Sequence, residues 1–66
     1  MAKLIFDRML KHFECDHLPG TDYRLAKPFQ ELANSLAAEL DGPELMAGLR
    51  KLLESRDCVL RAASER

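Results

Sequence analysis

The chain has 66 residues, of which 47% are hydrophobic and 32% charged, and its formal net charge is −1. This composition excludes a disordered chain, the charge argues against general binding of DNA or RNA polymers, and no apolar stretch approaches the roughly 20 residues of a membrane span. The length allows one domain, residues 1–66, whose small core would leave it marginally stable on its own.

The two cysteines, Cys15 and Cys58, can form at most one disulfide. The first residues lead directly into an amphipathic segment and lack the apolar run of a secretory signal. We therefore expect a cytoplasmic protein in which both cysteines are free thiols.

The first predicted element is a short amphipathic helix over residues 2–13. Its apolar residues Leu4, Ile5, Met9 and Phe13 recur at helical spacing, with charged residues opposite. The Pro19-Gly20 pair that follows indicates a turn.

A second helix is predicted over residues 23–40, with Thr21 or Asp22 as its N-cap. Pro28 lies within this segment, where it either kinks the helix or marks its start, and we favour a kink. The predicted packed face consists of apolar residues at i, i+3, i+4 and i+7 spacing: Phe29, Leu32, Ala33, Leu36, Ala37 and Leu40.

A third helix is predicted over residues 43–63. Gly42 is suited to end the preceding helix, and Pro43 is suited to the first position of the next. Because so short a connection forces the two long helices to be antiparallel, the predicted fold class is all-α: an antiparallel two-helix hairpin preceded by a short N-terminal helix.

The third helix has more apolar residues than one partner helix can cover. We therefore expect a homo-oligomer, since large exposed apolar patches mark interfaces. The alternative is a monomeric three-helix bundle, which light scattering would distinguish. The apolar residues of this helix are Leu45, Met46, Leu49, Leu52, Leu53, Val59 and Leu60.

The loop after the first helix contains His12, Cys15 and His17, a set that could bind zinc with Cys58 as a fourth ligand. The spacing matches no standard zinc pattern, and a polar loop with Cys15 packed as a small apolar residue is the favoured alternative. We therefore expect no metal. No Gly-rich phosphate loop or nucleophile elbow accompanies Cys15, so we expect neither a cofactor nor enzymatic activity.

Cations lie on both long helices, and those of the second helix are near an aromatic residue. Arg24 and Lys27 follow Tyr23 at the start of the second helix, and Arg56 lies close to the apolar stripe of the third. An arginine there pairs with a carboxylate, extends to solvent or holds an anion. In an oligomer these residues could line an intersubunit pocket for a nucleotide, because aromatic rings stack bases and cations bind phosphate.

The sequence resembles a group of small helical-hairpin proteins of bacteriophages, the anti-CBASS sponges, which sequester cyclic oligonucleotide signals of bacterial immunity. It is also similar to uncharacterised proteins of actinobacterial phages. The resemblance covers about two thirds of the chain and rests on four segments: HLP at 17–19, KPFQELA at 27–33, PE at 43–44 and AGLRKLLESRD at 47–57.

The resemblance implies a homo-oligomer in the cytoplasm of the host cell, with a hexamer as the expected assembly. It implies that cyclic di- or trinucleotides are held between subunits without being cleaved. His17 matches the histidine of the family's turn, Lys51 the lysine of its third helix and Lys27 a basic residue of its second. The chain departs from the family at Asp16, where a tyrosine is usual, and at residues 58–61, which replace an aromatic-Ala-Asn segment.

Together these arguments predict a ligand site in which Phe13 or Tyr23 stacks a base. The other predicted site residues are basic or titratable: His17, Arg24, Lys27, Lys51 and Arg56. The alternative function is a phage structural or adaptor oligomer that binds a host protein through a helical face.

Overall fold

The computed structural model describes residues 2–65, with side chains from residue 5 onward, and over these residues the protein is all-helical, as predicted. The helices are α1 (Ala2–Lys11), α2 (Gly20–Glu39) and α3 (Pro43–Ser64). The two long helices pack mainly against each other, and α1 contacts both, in a molecule of 40 × 19 × 16 Å. None of these helices, within the described residues, is both long and apolar enough to cross a membrane.

Three residues connect α2 to α3 and reverse the direction of the chain. Leu40 caps α2, and its backbone N–H donates to the Leu36 carbonyl at 2.9 Å. Gly42 has a φ of 101° and is the N-cap of α3, so its predicted role as the end of α2 was wrong. Pro43 begins α3, where its missing N–H would have no helical partner in any case.

The start of α2 lies earlier than predicted, at Gly20. Pro19, with extended backbone angles, is the N-cap, and its carbonyl accepts from the Tyr23 N–H at 2.8 Å. Thr21 and Asp22 therefore belong to the first turn, and the prediction that one of them caps the helix by its side chain was wrong. Asp22 still stabilises the start of α2, because its carboxylate complements the positive end of the helix dipole.

Pro28 lies inside α2, so it does not mark the start of the helix. Because proline has no N–H, the Arg24 carbonyl lacks its usual hydrogen-bond partner four residues later. The helix nevertheless continues to Glu39.

The α1 helix ends at Lys11, two residues before the predicted boundary. The next three N–H groups, those of residues 12–14, donate to carbonyls three residues earlier at 3.0–3.2 Å. The chain thus leaves α1 through a tightened turn, which satisfies carbonyls at the helix end.

The core joins all three helices. On α1 and in the turn after it, the residues that contact the core are Phe6, Met9, Leu10 and Phe13, which have the i, i+3, i+4, i+7 spacing. Ile5, predicted for this face, is 58% exposed, and the Leu4 side chain lies outside the described residues. The buried cluster consists of Phe6, Phe13, Ala33, Leu45 and Leu49.

Candidate functional site

The first turns of α2 bring an aromatic ring and cations together. The Lys27 Nζ lies 5.8 Å from the centroid of the Tyr23 ring, because residues four apart share one face of a helix. Both side chains are half-buried, and Arg24 is exposed beside them. An ammonium at this distance is attracted by the ring's π electrons. We call Tyr23, Arg24 and Lys27 the α2 basic site.

Gln30 holds Lys27 and the preceding loop in place. Its Oε1 accepts from Lys27 Nζ at 3.2 Å and from the Cys15 thiol at 3.5 Å. Cys15 is fully buried, whereas His17, two residues further along the same loop, is exposed. Gln30 was not among the predicted site residues, although its position three residues after Lys27 was the signal that the two side chains could meet.

The Arg56 guanidinium is bound within the chain. Its Nη1 donates to the His12 carbonyl at 2.6 Å, and its Nη2 and Nε donate to Asp57 Oδ1 at 2.8 and 3.3 Å. The Arg56 side chain is 15% exposed. Of the roles considered for this arginine, the structure therefore shows pairing with a carboxylate. Through its contact with His12, Arg56 also joins α3 to the end of α1.

Phe13 is also engaged in the fold. Its side chain is fully buried and belongs to the core cluster. No face of the ring is open to a ligand, so the prediction that Phe13 could stack a base does not fit this chain. Of the two aromatic residues predicted to stack, Tyr23 is the accessible one.

Lys51 lies near the middle of α3 with its side chain exposed. It follows the fully buried Leu49 by two residues, or about 200° around the helix, and so projects away from the core. It is thus on the outer surface of α3, whereas the α2 basic site is at the start of α2.

The possible zinc ligands are not brought together. His12 and His17 are exposed, whereas the Cys15 thiol is buried against Gln30. Cys58, a free and exposed thiol, accepts from Arg61 Nη2 at 3.2 Å. Among the described residues, no three histidine, cysteine or acidic side chains form a group that could hold a metal ion.

Two open clefts flank α1 at the end of the molecule where α2 turns into α3. The first, of about 670 Å³, lies between α1 and the end of α2, and three exposed carboxylates line it: Asp7, Glu39 and Asp41. The second, of about 460 Å³, lies between α1 and the start of α3 and includes the exposed Arg50. None of the predicted ligand-binding residues lines either cleft.

Apolar side chains surround both clefts. Leu40, 56% exposed, lies at the first, and Ile5 lies at the second. We call this region the turn-end surface, defined by Ile5, Phe6, Leu40, Pro43, Met46 and Ala47.

No protein-family model matches this chain, and neither does any curated protein or solved structure.

Proposed function

We propose that this protein is a non-catalytic sponge that binds cyclic di- or trinucleotides in the host cell cytoplasm and thereby antagonises a bacterial defence against phage. The observation that carries the proposal is the Tyr23–Lys27 pair, with Arg24 beside it. A ring that stacks a base and two cations that attract phosphate are the groups a nucleotide requires. The resemblance to the phage proteins supports the same ligand class.

The proposed site is completed by a second copy of the chain. Lys51 projects from the outer surface of α3, so a neighbouring subunit is the natural source of this cation. His17, exposed in the loop before α2, lies on the same part of the chain as the α2 basic site. We therefore assign Tyr23, Arg24, Lys27 and His17 to one subunit and Lys51 to its neighbour, within a homo-oligomer.

Titration calorimetry with a panel of cyclic di- and trinucleotides tests this proposal, with linear dinucleotides as the control. We expect a cyclic nucleotide to bind and to be recovered intact, since the site has no catalytic role. Tyr23→Leu keeps an apolar side chain but removes the ring, and base stacking of about 1–3 kcal/mol predicts about 5- to 160-fold weaker binding.

Two lysine variants provide a matched comparison. Lys27→Gln should weaken binding and reduce its dependence on salt, because one phosphate contact is lost. Lys11→Gln, at the end of α1, removes the same charge from outside the proposed site and should leave binding unchanged. The proposal fails if no nucleotide of the panel binds, or if both variants weaken binding equally.

A second candidate function is that of an adaptor that binds a host protein. The exposed Ile5 and Leu40 beside two clefts favour it, since large exposed apolar groups mark interaction surfaces. This function predicts that the protein forms a stoichiometric complex with one purified host protein and that the Leu40→Glu variant does not form it. It also predicts that cyclic nucleotides do not bind.

A further inference from the structure

The turn-end surface has the features of an interface. Leu40 and Ile5 are each more than half exposed, and each lies beside a different one of the two clefts. The second cleft is lined mainly by apolar groups, including those of Met46 and Ala47. Exposed apolar side chains next to apolar clefts favour burial against another surface.

The charges of the two clefts are opposite in sign. Asp7, Glu39 and Asp41 line the first cleft, and Arg50 lies at the second. Among the side chains of residues 5–65, the ion pair present joins Arg56 to Asp57, so Arg50 and the three carboxylates have no partner within that range. One molecule thus presents an acidic cleft and a basic cleft, on either side of α1.

We propose that the turn-end surface binds a second copy of this chain across a two-fold axis. Leu40 of each copy then enters the second cleft of the other, and the carboxylates of each copy meet the other's Arg50. An isologous interface requires a self-complementary surface, which opposite charges on the two clefts provide. The inference rests on the self-association in the proposed function and names one of its contacts. The contact between Lys51 and the α2 basic site is a separate one, because that site is at the start of α2 and the turn-end surface is beyond its end.

The apolar part of the proposal is tested by two leucine variants in sedimentation and native mass spectrometry. Leu40→Glu places a charge in the proposed interface and should at least halve the mass of the wild-type assembly. Leu32→Glu is the matched control, because Leu32 is 47% exposed on the same helix but lines neither cleft. Leu32 lies about 12 Å before Leu40 along α2. The Leu32→Glu variant should therefore keep the mass of the wild-type assembly.

The charged part is tested by mixing two variants. Arg50→Glu makes both clefts acidic, whereas the double variant Glu39→Lys/Asp41→Lys makes both predominantly basic. Each alone should self-associate at least tenfold more weakly than wild type, because like charges then meet across the two-fold axis. An equimolar mixture should associate again, which also shows that both variants are folded. Glu54→Lys, an exposed charge reversal elsewhere on α3, should have no effect.

Three results would overturn the inference: a wild-type protein with the mass of one chain, a Leu32→Glu variant as weakened as Leu40→Glu, or a mixture that stays dissociated. In the first case the surface is left for a different protein, as in the adaptor function. Nucleotide binding is measured separately. If the wild-type assembly is broken by Leu40→Glu but binds no nucleotide, the proposed function is refuted and this interface is still supported.

Discussion

At the scale of single residues, Arg56 connects two parts of the fold. It is a cation on α3 that reaches the carbonyl of His12, just beyond the end of α1, while it pairs with the neighbouring Asp57. The free carbonyls at a helix end attract positive charge, so the guanidinium is well suited to this position. Its role in the isolated chain is therefore to hold α1 on the hairpin, together with the buried Phe13.

This role predicts a difference between two substitutions. Arg56→Met keeps the bulk of the side chain but loses the hydrogen bond to His12, and we expect a loss of about 1–2 kcal/mol in the free energy of unfolding. Asp57→Asn removes only a partly exposed ion pair and should cost less than about 0.5 kcal/mol. Urea unfolding of the two variants measures both values, and equal losses would show that the contact with His12 contributes nothing.

At the scale of secondary-structure elements, the connection between α2 and α3 depends on Gly42. Its φ of 101° and ψ of 170° lie in a region of backbone conformation that is essentially restricted to glycine. Space is not the constraint, because an added Cβ at Gly42 would meet no atom within 4 Å. Gly48, inside α3, also has open space around its Cα, but it lies in an ordinary helix interior.

The same substitution at these two glycines is expected to have opposite effects. Gly42→Ala should destabilise the protein by about 1–3 kcal/mol, because alanine is strained in this conformation. Gly48→Ala should stabilise it by about 0.5–1 kcal/mol, because alanine loses less conformational entropy in a helix. Thermal unfolding followed by circular dichroism would reveal the two shifts, and a Gly42→Ala variant as stable as wild type would refute the first.

At the scale of the whole molecule, the buried core is small. Its fully buried large side chains are Phe13 and Leu49, accompanied by the smaller Cys15, and much of the apolar surface of α3 is only half-buried. A domain of this size buries too little surface to be more than marginally stable alone, and association with further copies is a common source of additional stability.

If copies of the chain stabilise one another, the unfolding temperature should depend on protein concentration. Over an approximately hundredfold rise in concentration we expect the midpoint to increase by at least about 5 °C, since about 1 kcal/mol shifts the midpoint of so small a domain by roughly 4–8 °C. The Leu40→Glu variant should show a much smaller dependence. A wild-type midpoint independent of concentration would indicate a monomer.

Local patterns in the sequence were sufficient to predict the three helices and the tight connection that ends at Pro43. These patterns, the helical spacing of apolar residues and the positions of proline and glycine, depend on only a few neighbouring residues. Boundaries were less well predicted. Whether Pro19 or Thr21 caps α2 depends on the path of the preceding loop, and that loop is held by Cys15 and Gln30, which are distant in sequence.

The sequence by itself therefore determined the helical class and the chemistry available at the start of α2, where Tyr23 and Lys27 are four residues apart. Only the tertiary structure decided which aromatic and basic side chains remain available, because burial depends on contacts between distant segments. Phe13 is aromatic like Tyr23, and Arg56 is a cation like Arg24, but packing places Phe13 in the core and Arg56 at the contact between α3 and the end of α1.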